Sequence, residues 1–306
     1  MVDPSTADRW FKAMEDIPSL PENHERYREI FLALSPTFFQ KGFQFDAVTG
    51  YFDSGVMGRL IGPVGSAKNR VFNMLAVGLG EGKHEFHMLQ KLSSYFDSIR
   101  VTAVDPNKGM LQTFCARLND CDVTKSIACR PFEGTYSEFL ESSLADYKFD
   151  FITTIHSLYY TGDTNCVVES MLSSLQPTGI VYAAVVHDKN DLGKLLNGKP
   201  WLTKRTAFSI TTALEIKSIA ERTGCNVDIH RVSLRYVCSS IFDEDSDYGN
   251  MILDFTSMTP YFRRVAPRDI VEDVLKFWRN NLTDENGVFT ACGDDGLVVI
   301  SRDSNQ

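Results

Sequence analysis

The chain has 306 residues and carries 31 Lys+Arg against 40 Asp+Glu, a formal net charge of −9. Hydrophobic residues make up 43% and charged residues 23%, a globular balance that argues against intrinsic disorder and, at this length, allows a sizeable core without disulfide or metal staples. The acidic excess disfavours a nucleic-acid partner, whose phosphates call for surplus Lys and Arg, and no stretch approaches the ~18 consecutive apolar residues of a membrane span. A small-molecule partner is therefore expected. The 7 cysteines are scattered, with no CxxC pair and no zinc-type spacing, and the N-terminus lacks the basic-then-apolar layout of a secretory signal. Together these features suggest reduced thiols in a cytoplasmic, monomeric protein.

In chain order, the first ~70 residues read as helical by their apolar periodicity. Asn23 can cap a helix through Leu34, which Ser35-Pro36 stops. A second amphipathic stretch over 39–60 carries Phe43, Phe45, Val48, Tyr51 and Phe52. The turn-rich run Gly62-Pro63-Val64-Gly65-Ser66 is the best internal boundary. After it, short apolar runs alternate with helical stretches. Strands are expected at 71–77, 99–104, 126–129, 149–155 and 180–186, with helices at 83–96, 107–118, 137–145 and 165–175 and a turn at 176–179. Such alternation predicts parallel βαβ units in a doubly wound sheet. Beyond Val186, helices are expected at 188–196, 211–222, 247–257 and 267–280. Strands are expected at 227–237 and 297–300, and the acidic run 243–247 reads as a solvated loop. Three segments result: a helical cap at 1–66, a cofactor-binding core at 67–187, and 188–306 supplying the remaining strands and cap insertions.

The strongest local motif is Gly78-Leu79-Gly80-Glu81-Gly82, set between a buried strand and a helix. Glycines there let the backbone turn tightly and approach a ligand, and Asp105 at the end of the next strand can accept both hydroxyls of a ribose. A dinucleotide fingerprint places its third glycine at position 83, which here is Lys83; the third glycine comes one residue early. The GxGxG spacing therefore favours S-adenosylmethionine, which has no phosphate to cradle, over a nicotinamide dinucleotide. After the fourth strand comes Ile155-His156-Ser157-Leu158-Tyr159-Tyr160. Ligands of open α/β sheets sit at the carboxyl ends of the strands, so these side chains are placed to reach the site. Aromatic faces attract a sulfonium or ammonium, and a histidine can take a proton from an acceptor nitrogen. Phe132-Glu133-Gly134-Thr135-Tyr136 follows the third strand as a softer candidate. The Asn/Asp-Pro-Pro-Tyr motif of many enzymes that methylate nucleic acids and proteins is absent, which again favours a small acceptor. His84 and His87 read as a solvated helix face rather than metal ligands, and no Ser or Cys occupies a GxSxG-type elbow.

Residues 75–160, the run Met251-Ile252-Leu253-Asp254-Phe255 and the terminal apolar strand together resemble the histamine N-methyltransferase family, from about Tyr27 onward. The more specific matches are Leu158-Tyr159-Tyr160 and the Asp254-Phe255 pair. The resemblance implies a seven-stranded class I methyltransferase sheet with a mostly helical cap for the acceptor. It implies that Gly78, Gly80 and Gly82 hold the methionine end of S-adenosylmethionine and that Asp105 holds the ribose. Asn107 and Gln112 would add polar contacts, Thr135 would lie on the adenine side, and Ile155 would lie beside the adenosyl group. His156 would then help hold the acceptor, and Tyr159 and Tyr160 would flank the transferring methyl. On the acceptor side Phe38, Phe39, Trp201, Phe255 and Asp294 are the candidates. The acceptor residues depart from the family: its amine-binding Glu has no acidic counterpart in Ser35-Pro36-Thr37-Phe38-Phe39, its C-terminal Asn falls near Gly293, and two cap tryptophans become Leu192 and Leu196. The expected activity is N-methylation of a small amine or imidazole compound. A catalytically silent S-adenosylmethionine sensor and a dinucleotide-dependent oxidoreductase are the alternatives.

Overall fold

The computed structural model describes residues 4–62, 70–124, 127–203 and 208–302. Most of the boundary expected at 62–66, namely residues 63–66, lies outside the described residues, as does Ser126, where the third strand was expected to begin. Ten strands are present among the described residues: β1 (Val71–Val77), β2 (Ser98–Asp105), β3 (Ala128–Glu133), β4 (Phe149–Ile155), β5 (Leu175–Val186), β6 (Cys225–Val232), β7 (Arg235–Val237), β8 (Thr283–Glu285), β9 (Val288–Cys292) and β10 (Asp295–Arg302). The chain divides into two compact units, each assembled from separated stretches. One comprises Met1–Gln44, Val186–Ile210 and Ser233–Asp295; the other comprises Phe45–Val185, Thr211–Val232 and Gly296–Gln306. The segment expected as 188–306 is thus shared between them.

The larger unit is built on a seven-stranded sheet in the order β3-β2-β1-β4-β5-β10-β6. Strands β1 and β4 are largely buried because helices cover both faces of a central parallel sheet; β1 is nearly all apolar, while β4 also buries Asp150, Thr153 and Thr154. The pairings β1–β2, β2–β3, β1–β4 and β4–β5 are all parallel. From β1 the chain steps outward to β2 and β3, then returns to β4 on the other flank of β1. That reversal opens a crevice at the carboxyl ends of β1 and β4. The turn expected at 176–179 is instead part of β5: Phe149 faces Leu175 while Phe151 faces Ile180, so the extra residues are absorbed as a register shift. The helix expected at 39–60 runs as Lys41–Tyr51, a π-helical turn Phe52–Val56, and Met57–Ile61.

In the smaller unit, Asn23 caps the helix His24–Leu34 by accepting from the Arg26 backbone N–H. Arg26 reaches from that helix to Asp254, donating to Oδ2 from Nε at 2.9 Å and from Nη2 at 2.7 Å. A three-stranded sheet, β7-β9-β8, belongs to this unit. The strand expected at 227–237 is therefore two strands in two sheets. Its alternation continues through both, but between them the Leu234 N–H donates to Asp294 Oδ1 at 3.2 Å and the chain changes sheet. The β8–β9 hairpin turns at Asn286 and Gly287, both with positive φ, which is the usual chemistry of a tight two-residue hairpin.

Candidate functional site

A cavity of about 220 Å³ lies at the carboxyl ends of β1 to β4, within the larger unit. Gly78, Asp105, Thr135, His156 and Tyr160 line it, with Ser157 and Thr161. Each strand end contributes one wall. Gly78, Gly80 and Gly82 all have positive φ, at +62°, +55° and +62°. A Cβ on Gly78 would lie 2.4 Å from Ser157 Cβ, and one on Gly82 would lie 2.3 Å from the Phe114 ring, whereas one on Gly80 would meet nothing within 4 Å. The two outer glycines therefore permit close packing, and the middle one leaves the loop backbone open to a ligand.

Asp105 binds this loop directly. Its Oδ2 accepts from the Gly80 N–H at 2.9 Å and its Oδ1 from the Asn107 N–H at 2.8 Å. A carboxylate has about four acceptor sites, so a pair of lone pairs remains for the two hydroxyls of a ribose. Lys83, in the place of the dinucleotide fingerprint's third glycine, pairs with Glu81 at 3.0 Å. Gly82 supplies the close helix packing that the fingerprint assigns to that glycine.

Among the other cofactor-side candidates, Thr135 lines the cavity and caps the helix Tyr136–Leu140, exchanging hydrogen bonds with Glu138. Those bonds, first from the Thr135 backbone, hold the Glu138 carboxyl below its usual range. Asn107 caps the helix Lys108–Asp120, Gln112 lies on that helix's exposed face, and Ile155 ends β4; these three are not among the residues lining the cavity.

His156 is left-handed, with φ +52°, which is unfavourable for a residue with a Cβ. Its neighbours hold it there. The His156 N–H donates to Ala184 O at 2.8 Å, and Ser157 Oγ donates to Val77 O at 2.6 Å. The ring lines the cavity with Nδ1 3.4 Å from the Tyr159 hydroxyl. Tyr160 lines the cavity and is partly exposed, whereas Tyr159 is buried. Ser157 was not singled out from the sequence, because its partners Gly78 and Val77 lie some 80 positions away and no local pattern joins them.

Glu85 is a second unexpected feature. It lies in the first turn of the helix Lys83–Leu92 and is 1% exposed. Its Oε1 accepts from Thr153 Oγ1 at 3.3 Å, while Oε2 has no partner among the described residues. Burial pushes this carboxyl up to about 7.

The acceptor-side candidates belong to the smaller unit. Phe39 meets Phe38 edge-on at 5.5 Å and Phe255 edge-on at 4.6 Å, so the structure brings these three together. Phe38 also stacks on Tyr236 at 4.6 Å. Trp201 packs instead against Trp10, with ring centroids 5.3 Å apart. Asp294 is fully buried, and its carboxylate holds the Leu234 N–H while its carbonyl accepts from His187 N and Asn190 Nδ2. At Gly293 a Cβ would lie 2.3 Å from the Tyr236 ring, so that ring fills the space where a side chain would start.

An open sheet in this strand order, with a glycine loop ending β1 and a carboxylate ending β2, defines a class I S-adenosylmethionine-dependent methyltransferase. A family model described as a methyltransferase domain matches residues 22–229, more than half of the chain, and the chain belongs to that family. It is similar to the histamine N-methyltransferase of Danio rerio, at 25% identity over 86% of this chain and 90% of that protein. It is also similar to that of Xenopus tropicalis, at 24% identity over 93% of this chain and 98% of that protein. Among solved structures it is similar in fold to the YcgJ protein of Bacillus subtilis, with a TM-score of 0.50 and 15% identity over 81% of this chain and 98% of that one. S-adenosylmethionine is its cofactor. Among the described residues no helix is long and apolar enough to cross a membrane.

Proposed function

We propose that the chain methylates a nitrogen of a small amine or imidazole compound by direct transfer from S-adenosylmethionine. The cofactor, when bound, supplies an electrophilic methyl on a sulfonium. Gly78, Gly80 and Gly82 would hold its methionine end and Asp105 its ribose, with Thr135 on the adenine side. The observation that carries the acceptor chemistry is His156, held in a left-handed turn on the cavity wall and bonded through Nδ1 to Tyr159. From there its ring can orient an acceptor nitrogen or take its proton, and Tyr160 can offer a π face to the cation. Holding the nucleophile in line would supply most of the acceleration, an effect that can reach ~7–11 kcal/mol. The names of the curated relatives support a small amine as the acceptor class.

The test is methyl transfer from S-adenosylmethionine to a panel of amines and imidazoles, read by product mass. Transfer to at least one of them is expected, and His156→Ala should lower turnover by roughly 10²-fold, the scale of a positioned proton acceptor, while sparing cofactor affinity. No product with any acceptor, despite cofactor binding, would overturn the catalytic reading in favour of a cofactor sensor. Wild-type turnover in His156→Ala would make that residue structural.

A further inference from the structure

Away from the cavity, the helix Lys108–Asp120 and the edge strand β3 carry two cysteines whose sulfurs meet. Cys115 Sγ lies 3.1 Å from Cys129 Sγ, both side chains are half-buried, and neither is in a disulfide. A covalent S–S bond is about 2.05 Å long, so a closure of roughly 1 Å would join them, within the reach of small side-chain rotations. Among the described residues the other five cysteines have no such partner: Cys121 accepts from Gln90 Nε2 at 3.5 Å, Cys225 accepts from Thr223 Oγ1, Cys238 donates to a backbone carbonyl, Cys292 lies beside Asp294, and Cys166 is exposed. Cys115 and Cys129 thus form a pre-aligned dithiol in a chain whose remaining thiols are not paired with one another among the described residues.

We propose that Cys115 and Cys129 are an oxidative modification site, closing to a reversible intramolecular disulfide by exchange with a small disulfide such as oxidised glutathione. The Cys115 thiolate attacks one sulfur of the oxidised glutathione, forming a mixed disulfide and releasing the first glutathione. The Cys129 sulfur then gives up its proton and attacks Cys115 Sγ, which expels the second glutathione. Two protein thiols are oxidised, one small disulfide is reduced, and the two protons end on the two glutathione thiols. The order follows from the local chemistry. Burial, with the Cys115 thiol beside it, pushes Cys129 well above the ordinary thiol range, which leaves Cys115 as the first attacker.

The bond would tie β3, paired in the sheet only to β2, to the helix that begins three residues after Asp105. Closing that loop removes chain entropy from the unfolded state, so the oxidised form should be the more stable one.

The experiment is incubation of the full chain with oxidised glutathione, followed by non-reducing proteolysis and mass spectrometry. Expected are a cross-linked peptide joining Cys115 to Cys129, loss of two of the 7 titratable thiols, and a Tm raised by a few degrees, all reversed by dithiothreitol. Cys115→Ser and Cys129→Ser should each abolish the link and the Tm rise, and Cys166→Ser should affect neither. Glutathione adducts persisting at Cys115 or Cys129 without a link, or a link between other cysteines, would overturn the proposal. The mapping on the unaltered chain decides the matter even if one variant fails to fold.

Discussion

Gly78 and Ser157 join the two strand ends that open the cavity. Ser157 Oγ donates to Val77 O at 2.6 Å, and this draws the serine so close that a Cβ at position 78 would stand 2.4 Å from its own. Ser157 Oγ also lies 2.8 Å from Thr154 Oγ1, so the side chain cannot rotate away without breaking both contacts. Gly78→Ala is expected to combine a left-handed strain of about 1–2 kcal/mol with this clash, lowering stability by at least about 2 kcal/mol and weakening S-adenosylmethionine binding. Adding Ser157→Gly should recover the clash and leave the strain. Chemical denaturation of the two variants measures the difference, and equal stability of both would deny the contact.

Asp105 secures the loop through Gly80 and Asn107 and keeps acceptor capacity for a ribose. Asp105→Ala should weaken cofactor binding by about 1.5–3 kcal/mol, the scale of a hydrogen bond to a charged group. Calorimetric titration with S-adenosylhomocysteine reads this directly, and unchanged affinity would remove Asp105 from the site.

Glu85 predicts a pH dependence of stability. Its carboxyl is raised to about 7 in the folded protein, while an unfolded Glu titrates near 4.3. Between those values the folded state binds more protons than the unfolded one, so this group's contribution falls as pH rises from about 4.3 to about 7 and levels off above. Glu85→Gln, which cannot ionise, should match wild type below about pH 4 and exceed its stability near pH 8 by up to about 3 kcal/mol. Parallel stability profiles for the two proteins across that range would show the carboxyl to be ordinary.

The Arg26–Asp254 pair is buried on both sides, with side chains 9% and 1% exposed. Burial pushes the Asp254 carboxyl up despite the guanidinium beside it, so desolvation outweighs the pairing. Arg26→Ala strands a buried carboxylate that also accepts from the Phe262 N–H, and should cost about 3–5 kcal/mol. Replacing both partners by leucine or methionine should cost much less, because no charge is then left buried. Urea denaturation of the single and double variants separates these outcomes; a double variant as unstable as Arg26→Ala would place the cost in packing.

Strands β1 and β4 were legible to the residue: β1 is a nearly continuous apolar run closed by Gly78, and β4 carries Phe149, Phe151, Ile152 and Ile155 across seven positions. The cap at Asn23 was legible because it is a local bond to a backbone N–H a few residues on. Gln176-Pro177-Thr178-Gly179 misled for the converse reason. Its turn-like composition is absorbed by the register shift between β4 and β5, which depends on the partner strand. The β8–β9 hairpin did leave a readable trace in Asn286-Gly287, although its strands are short, β8 fully exposed and β9 half-buried, without the apolar alternation that marks a strand. On the acceptor side, the family resemblance offered Asp294 as a candidate, but its burial and its bond to Leu234 are set by the meeting of chain segments sixty residues apart.

Length, composition and charge pointed by themselves to a large acidic domain acting on something small, and the Gly-rich loop with Asp105 pointed to the cofactor. Those signals survive in one dimension because each depends on a residue's own chemistry or on neighbours within a turn. Tertiary structure decided what surrounds them. It set Ser157 against Gly78, closed the Asp105 carboxylate onto the loop it serves, buried Glu85 of the following helix against Thr153, and turned His156 left-handed on the cavity wall. The −9 charge, the first thing visible, is a property of composition alone; the packing around the strand ends determines which side chains line the cavity.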